Sequence, residues 1–159
     1  MPQSRPSTFL LTILVAATAL GTGCAPEIRW RGLIFDPVHR DAQRDHRPTF
    51  AYLRAWYLPA CTRFEDNVLK DPDVVAASTD FYCTLLEYDA SRRLVEQWMV
   101  ESPPAVVILD DNSQILVRLQ GEIPKQALLA AMNRIQARFA PPPVTQPTAS
   151  PPITPEASP

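Results

Sequence analysis

Thr49-Phe50-Ala51-Tyr52-Leu53-Arg54-Ala55-Trp56-Tyr57-Leu58-Pro59-Ala60-Cys61-Thr62-Arg63-Phe64-Glu65 decides the fold, because the apolar period changes inside it. Thr49 to Arg54 is a short run of aromatic and β-favouring residues, which predicts a strand. From Pro59 onward Leu58, Cys61, Phe64 or Glu65, and Val68 recur at helical spacing, and a proline is tolerated in a first helical turn. The stretch therefore reads as a strand passing through a short turn into a helix, with Cys61 in the first turns on the apolar stripe. The helix is expected to stop before Asp71-Pro72, because the residue preceding a proline is pushed out of helical geometry.

Outward from that core the punctuation continues. Pro37 to Arg47 is polar and helix-compatible, and Pro48 ends it. Phe81 to Tyr88 reads as a strand and Ser91 to Val100 as a helix, with Leu94, Trp98 and Met99 at core spacing and a stop at Ser102-Pro103-Pro104. Ala105-Val106-Val107-Ile108-Leu109 is a continuous apolar run suited to a central strand buried on both faces. Asp111-Asn112-Ser113 has turn chemistry, Ile115-Val117-Leu119 alternates as a strand, Gly121 breaks it, and Pro124 to Phe139 is an amphipathic helix. Strand-helix-strand-helix-strand-strand-helix fits an α/β sandwich around one central mixed sheet.

Three local patterns carry a family resemblance over roughly residues 30–140. Ala55-x-Tyr57-x-x-x-Cys61-x-x-Phe64-Glu65, followed by Val68-Leu69 and Asp71-Pro72-x-Val74, resembles the active-site helix of thioredoxin-like proteins. Pro104 to Asp110 is similar to their cis-proline strand, and Leu119-x-Gly121 to the glycine that ends their last strand. The similarity is strongest to the envelope branch that includes the C-terminal domain of the thiol:disulfide interchange protein. The resemblance implies a thioredoxin-like three-layer α/β sandwich.

It does not imply the chemistry. Dithiol exchange needs a thiolate at the exposed start of the active-site helix and a second thiol to resolve the mixed disulfide. Leu58 stands in the first position, and Cys61 matches the second. Where the family commonly has an acid on the strand, this chain has Tyr52, whose ordinary pKa near 10 makes it a poor base. Before the cis-proline stands Pro103, which has no N–H to pair with an extended substrate. Two functional expectations follow. In the first, Trp56, Tyr57, Leu58, Pro59, Pro103 and Pro104 form a groove for an envelope protein or peptide partner, and the domain binds without exchanging disulfides. In the alternative, Cys61 works as a monothiol.

Other chemistry is thin. Cys83, alternating with Phe81 and Leu85 near the start of its strand, reads first as a small buried residue. A bridge to Cys61 is the alternative, and it needs Cα atoms within about 7 Å although the turn is expected beyond the far end of that strand. His39 and His46 have no metal-ligand spacing and read as surface histidines, so neither a metal nor a cofactor is expected. A formal net charge of −2 argues against a nucleic-acid partner.

The ends of the chain concern location. Phe9 to Leu20 is an apolar run after a sparse basic start at Arg5, too short for the about 20 residues of a membrane-spanning helix. Leu20-Gly21-Thr22-Gly23-Cys24 resembles a bacterial lipobox, with Gly21 departing from the preferred leucine. Residues 1–23 are thus expected to be a lipoprotein-type signal peptide and Cys24 the lipid-bearing residue, anchoring an exported protein to a membrane of the cell envelope, periplasmic or surface-exposed. Residues 24–29 form a short linker, 30–140 the thioredoxin-like domain, and 141–159 a proline-rich tail expected to be disordered.

Overall fold

The computed structural model describes residues 27–139, so the signal segment, Cys24 and the proline-rich tail lie outside the described residues. Five strands, β1 (Trp30–Gly32), β2 (Thr49–Arg54), β3 (Tyr82–Glu87), β4 (Ala105–Leu109) and β5 (Ile115–Gln120), make one sheet in the order β1-β3-β2-β4-β5. β1 and β2 run parallel to β3, while β4 is antiparallel to β2 and β5, so the sheet is mixed. Parallel neighbours need long crossovers. These are α1 (Phe35–Arg44) between β1 and β2, and α2 (Pro59–Phe64), its π-helical continuation Glu65–Leu69 and α3 (Pro72–Ser78) between β2 and β3. A 3₁₀ turn, Asp89–Ser91, leads into α4 (Arg92–Gln97), and α5 (Lys125–Phe139) closes the described chain.

β2 is central and covered on both faces, which its alternation dictates. Phe50 and Tyr52 face a core shared with Phe64, Val74, Val106, Leu128 and Met132. Ala51 and Leu53 face the opposite core, with Phe35, Leu86, Val95, Trp98 and Val107. Helices α3 and α5 therefore cover one side and α1 and α4 the other, giving the three layers expected from the element order. Covered on both sides, β2 can deliver the chain only at its ends, and its carboxyl end opens directly into α2.

Four local features depart from the sequence reading. β1 is an additional edge strand, and α3 an additional helix: Asp71 ends one helix and caps the next, its carboxylate accepting the Asp73 N–H at 3.0 Å. Lys125 Nζ, 2.8 Å from the same carboxylate, ties α3 to α5. The helix that follows the central turn finishes as a π-helical turn. Met99, expected in the core, is 65% exposed with φ of 49°, because the chain reverses there after α4.

His39 is also not a surface residue. Helix α1 buries Phe35, Val38, His39 and Ala42, at i, i+3, i+4 and i+7. The imidazole stacks on Phe35, with centroids 4.8 Å apart, and its nitrogens lie 2.8 Å from Thr49 Oγ1 and 2.8 Å from Ser113 Oγ. It thus joins α1 to the β4–β5 turn, where Ser113 has φ of 64° and the Asp110 carboxylate accepts the N–H groups of Asn112 and Gln114. His46, by contrast, is exposed and lies beside Asp111 at 2.9 Å.

Burial holds the His39 pKa below its ordinary 6.5, against the opposing pull of Asp110 and Asp36. The unfolded chain then takes up the proton first as pH falls through that value, so this contribution to stability is complete above 6.5 and is lost below it. The urea midpoint is expected to drop between about pH 7.5 and 5.5, with His39→Gln removing most of the slope. An unfolding midpoint equally pH-dependent in the variant would contradict this assignment.

Candidate functional site

The site lies where β2 opens into α2. Leu58 takes the N-cap position in extended geometry, its N–H donating to Ala55 O at 3.0 Å, and Pro59 follows in the first turn. Serine, threonine or aspartate would accept a helix N–H from the cap position; the Leu58 side chain accepts none. Two backbone N–H groups, of Cys61 and Thr62, reach back to the Leu58 carbonyl at 2.9 and 3.4 Å.

Cys61 follows on the buried face of α2 and is 1% exposed. Its Sγ accepts the Ala55 N–H at 3.4 Å. The sulfur is therefore engaged in closing the turn and is covered from solvent. Cys83 lies on β3, with its thiol 3.7 Å from Ser78 O and 3.8 Å from Phe81 O, and burial pushes its pKa up to about 12. Both cysteines are free. Among the described residues no group of three or more His, Cys, Asp or Glu side chains could hold a metal ion.

Beneath the turn, Tyr52 packs between Trp30 and Phe64, with ring centroids at 6.1 and 5.5 Å. Its hydroxyl donates to Glu65 Oε1 at 3.1 Å. Arg54 lies 3.5 Å from that same oxygen and donates to Glu87 Oε1 at 2.8 Å. Burial first, then the Glu65 carboxylate and the Cys61 sulfur, drive the Tyr52 pKa far above its ordinary value, so the phenol stays protonated and acts as a donor. A carboxylate therefore does reach this neighbourhood, from the helix and not from the strand, and it is held by a phenol and a guanidinium. The sequence reading gave Glu65 and Arg54 no role. The available signals were spacing, since Glu65 is four residues past Cys61 on one helical face, and register, since Arg54 stands opposite Glu87.

Across from α2, the Pro103–Pro104 peptide bond is cis. The Pro104 carbonyl accepts the Gly121 N–H at 2.9 Å, tying this loop to the end of β5, while Pro103 presents no donor. An open cleft of about 490 Å³ separates the loop from the helix, lined by Arg63, Phe64, Asn67, Pro103, Pro104 and Glu122 among others. Of the residues named for a groove, Pro103 and Pro104 line this cleft; Trp56, Tyr57, Leu58 and Pro59 lie outside it. Trp56 is 74% exposed and meets Tyr57 edge-on at 5.6 Å, and the Tyr57 hydroxyl donates to Asp89 at 2.8 Å. The opposing faces are thus the prolines and the second turn of α2, with an aromatic pair standing at the entrance of the helix.

A family model described as a thioredoxin-like domain matches residues 35–136. No curated protein matches the sequence. Among solved structures, a thioredoxin from Thermus thermophilus superposes with a TM-score of 0.61 at 21% identity, over 69% of this chain and 89% of that one. The DsbH oxidoreductase matches with a TM-score of 0.58 at 15% identity, over 69% and 87% of the two chains. The oxidised C-terminal domain of Neisseria meningitidis DsbD matches at 0.55 and 15% identity, over 62% and 90%. At these identities the structural likenesses show the shared fold.

Replacing the Tyr52 hydroxyl isolates its bond to Glu65. Tyr52→Phe is expected to lower unfolding stability by about 1 kcal/mol, measured in urea, with the packing of the ring retained. A variant as stable as the parent would contradict a stabilising role for that bond.

Proposed function

The chain belongs to the thioredoxin-like domain family, related in fold to disulfide oxidoreductases, and on that premise we propose a membrane-anchored envelope protein that binds a partner without exchanging disulfides. The observation that carries this reading is the pairing of Leu58 at the helix cap with a Cys61 sulfur that is 1% exposed and already accepts the Ala55 N–H. Nucleophilic exchange requires an accessible thiolate, and a thiol shielded from water is a poor source of one. Tyr52 as a fixed donor and Pro103 without an N–H support the same reading, because proton acceptance and substrate pairing both lose their usual groups.

Binding remains open to the site. The cleft between α2 and the cis-proline loop is lined by Phe64 and Pro104, which are buried, and by Arg63 and Glu122, which are exposed. That combination suits an extended segment of an envelope protein or peptide, held by contact and charge. Trp56 supplies a large exposed aromatic surface at the entrance to the helix. Anchoring comes from the lipobox-like Leu20 to Cys24, with Cys24 carrying the acyl chains.

Alkylation of the native full chain tests this against the monothiol alternative. Cys61 is expected to react on the order of 10³-fold more slowly in the folded protein than in denaturant, as for a group exposed only by opening of the fold. Rapid native labelling of Cys61 with an apparent pKa below neutrality would overturn the non-exchanging reading and favour the monothiol one.

A further inference from the structure

Leu33 and Ile34 are 70% and 67% exposed, side by side, where the edge strand β1 turns into α1. Single exposed apolar residues need no explanation, but an adjacent pair at an uncovered sheet edge does. β1 is three residues long and, among the described residues, no strand pairs with its outer side. Proteins commonly cover or blunt such an edge.

The surroundings indicate what covers it. Arg29, Trp30, Arg31, Leu33, Ile34 and Pro37 border one open depression of about 500 Å³. Asp41, the carboxylate on its border, lies 3.2 Å from Arg44, and Asp36 lies 3.5 Å from Arg93. Arg44 also pairs Asp45, and the Arg31 guanidinium lies 3.7 Å over the ring of Tyr82, whose hydroxyl donates to Asp45. Arg29, in no ion pair among the described residues, is thus the main cation of the patch, and Arg31 adds a stacked one. Two apolar side chains, a half-buried indole and two guanidinium groups form a surface suited to an anionic lipid interface.

Chain length gives the second argument. Only residues 25–29 separate Cys24 from Trp30, at most about 22 Å when fully extended. A domain held by acyl chains on Cys24 has little room to stand away from the bilayer, and the nearest described element is the strand that leads to Leu33 and Ile34.

We propose that the β1–α1 corner, centred on Leu33 and Ile34 and flanked by Arg29 and Arg31, docks onto the anionic phospholipid bilayer that carries the Cys24 anchor. This rests on the anchored reading given above. β1, β3 and β2 are parallel, so the carboxyl ends of all three lie at one end of the sheet. Docking by this corner turns that end, with Trp56 and Leu58, toward the membrane, and the partner is met at the bilayer surface.

The test uses the lipidated full chain in vesicles of phosphatidylethanolamine and phosphatidylglycerol, with Leu33→Cys carrying an environment-sensitive fluorophore. Cys61 and Cys83 are buried, so labelling is selective. Met99→Cys is the comparison site: its carbonyl accepts from Arg118 on β5, at the opposite edge of the sheet. A water-borne quencher is expected to reach the label at 33 about tenfold more slowly than the label at 99, and Ile34→Asp to lower the docked-to-undocked ratio about tenfold or more. Protection at 33 should weaken in neutral phosphatidylcholine vesicles as the arginines lose their counter-charge. Equal quenching at 33 and 99 in the anionic vesicles overturns the proposal, as does protection at 33 that rises with protein concentration in detergent, which would assign the face to a second copy. The mass of the N-terminal peptide reads the anchor separately. Acylated protein with an unprotected residue 33 rejects the surface alone; protein without acyl chains rejects the anchor, and quenching with added anionic vesicles then decides the surface.

Discussion

The Ala55 N–H emerges at the end of a strand covered on both faces, where water cannot satisfy it, and its acceptor is the sulfur of Cys61 at 3.4 Å. A buried backbone donor without a partner costs about 1–3 kcal/mol, so even a weak sulfur acceptor matters here. Together with the Leu58 N–H bond to Ala55 O, the contact closes the turn where α2 leaves β2, just ahead of Phe64 in the core and Glu65 beside Tyr52. It also occupies the one sulfur that remains in the turn. With Leu58 at the helix cap, this covered atom is also the sulfur that the monothiol alternative would need exposed.

The neighbouring positions are consistent with that division of labour. In a thioredoxin-like frame, the helix cap, the strand beneath it and the loop before the cis-proline supply nucleophile, proton acceptor and substrate pairing. Here they hold Leu58, a phenol fixed as donor, and a proline without an N–H. What survives is shape, namely the cis-proline loop, the cleft against α2 and the exposed Trp56. A binding role uses those features and makes no demand on the missing groups.

Much of this was legible in the chain because periodicity and burial coincide. β2 and β4 are apolar runs that the sheet buries at its centre, and α5 fills one side with Leu128, Ala131, Met132 and Ile135 at helical spacing. The rest escaped for specific reasons. β1 has three residues, one of them glycine, too few to display alternation. Asp71-Pro72 reads as a stop, yet the same pair is a cap and a first-turn proline, so it begins α3 as well. His39 is polar by type, and its burial depends on Thr49 and Ser113, the latter 74 residues away. Glu65 acquires its place through Tyr52 and Arg54, a relation of strand to helix that sequence spacing alone leaves undetermined.

On the non-exchanging reading proposed above, exchange needs three groups besides the fold, and restoring one leaves the site deficient. Leu58→Cys measures this most directly. On that reading the new thiol forms a disulfide with Cys61, while disulfide-substrate reduction stays close to the uncatalysed rate, because Tyr52 remains a donor and Pro103 offers no N–H. Full reductase activity in Leu58→Cys alone would contradict it.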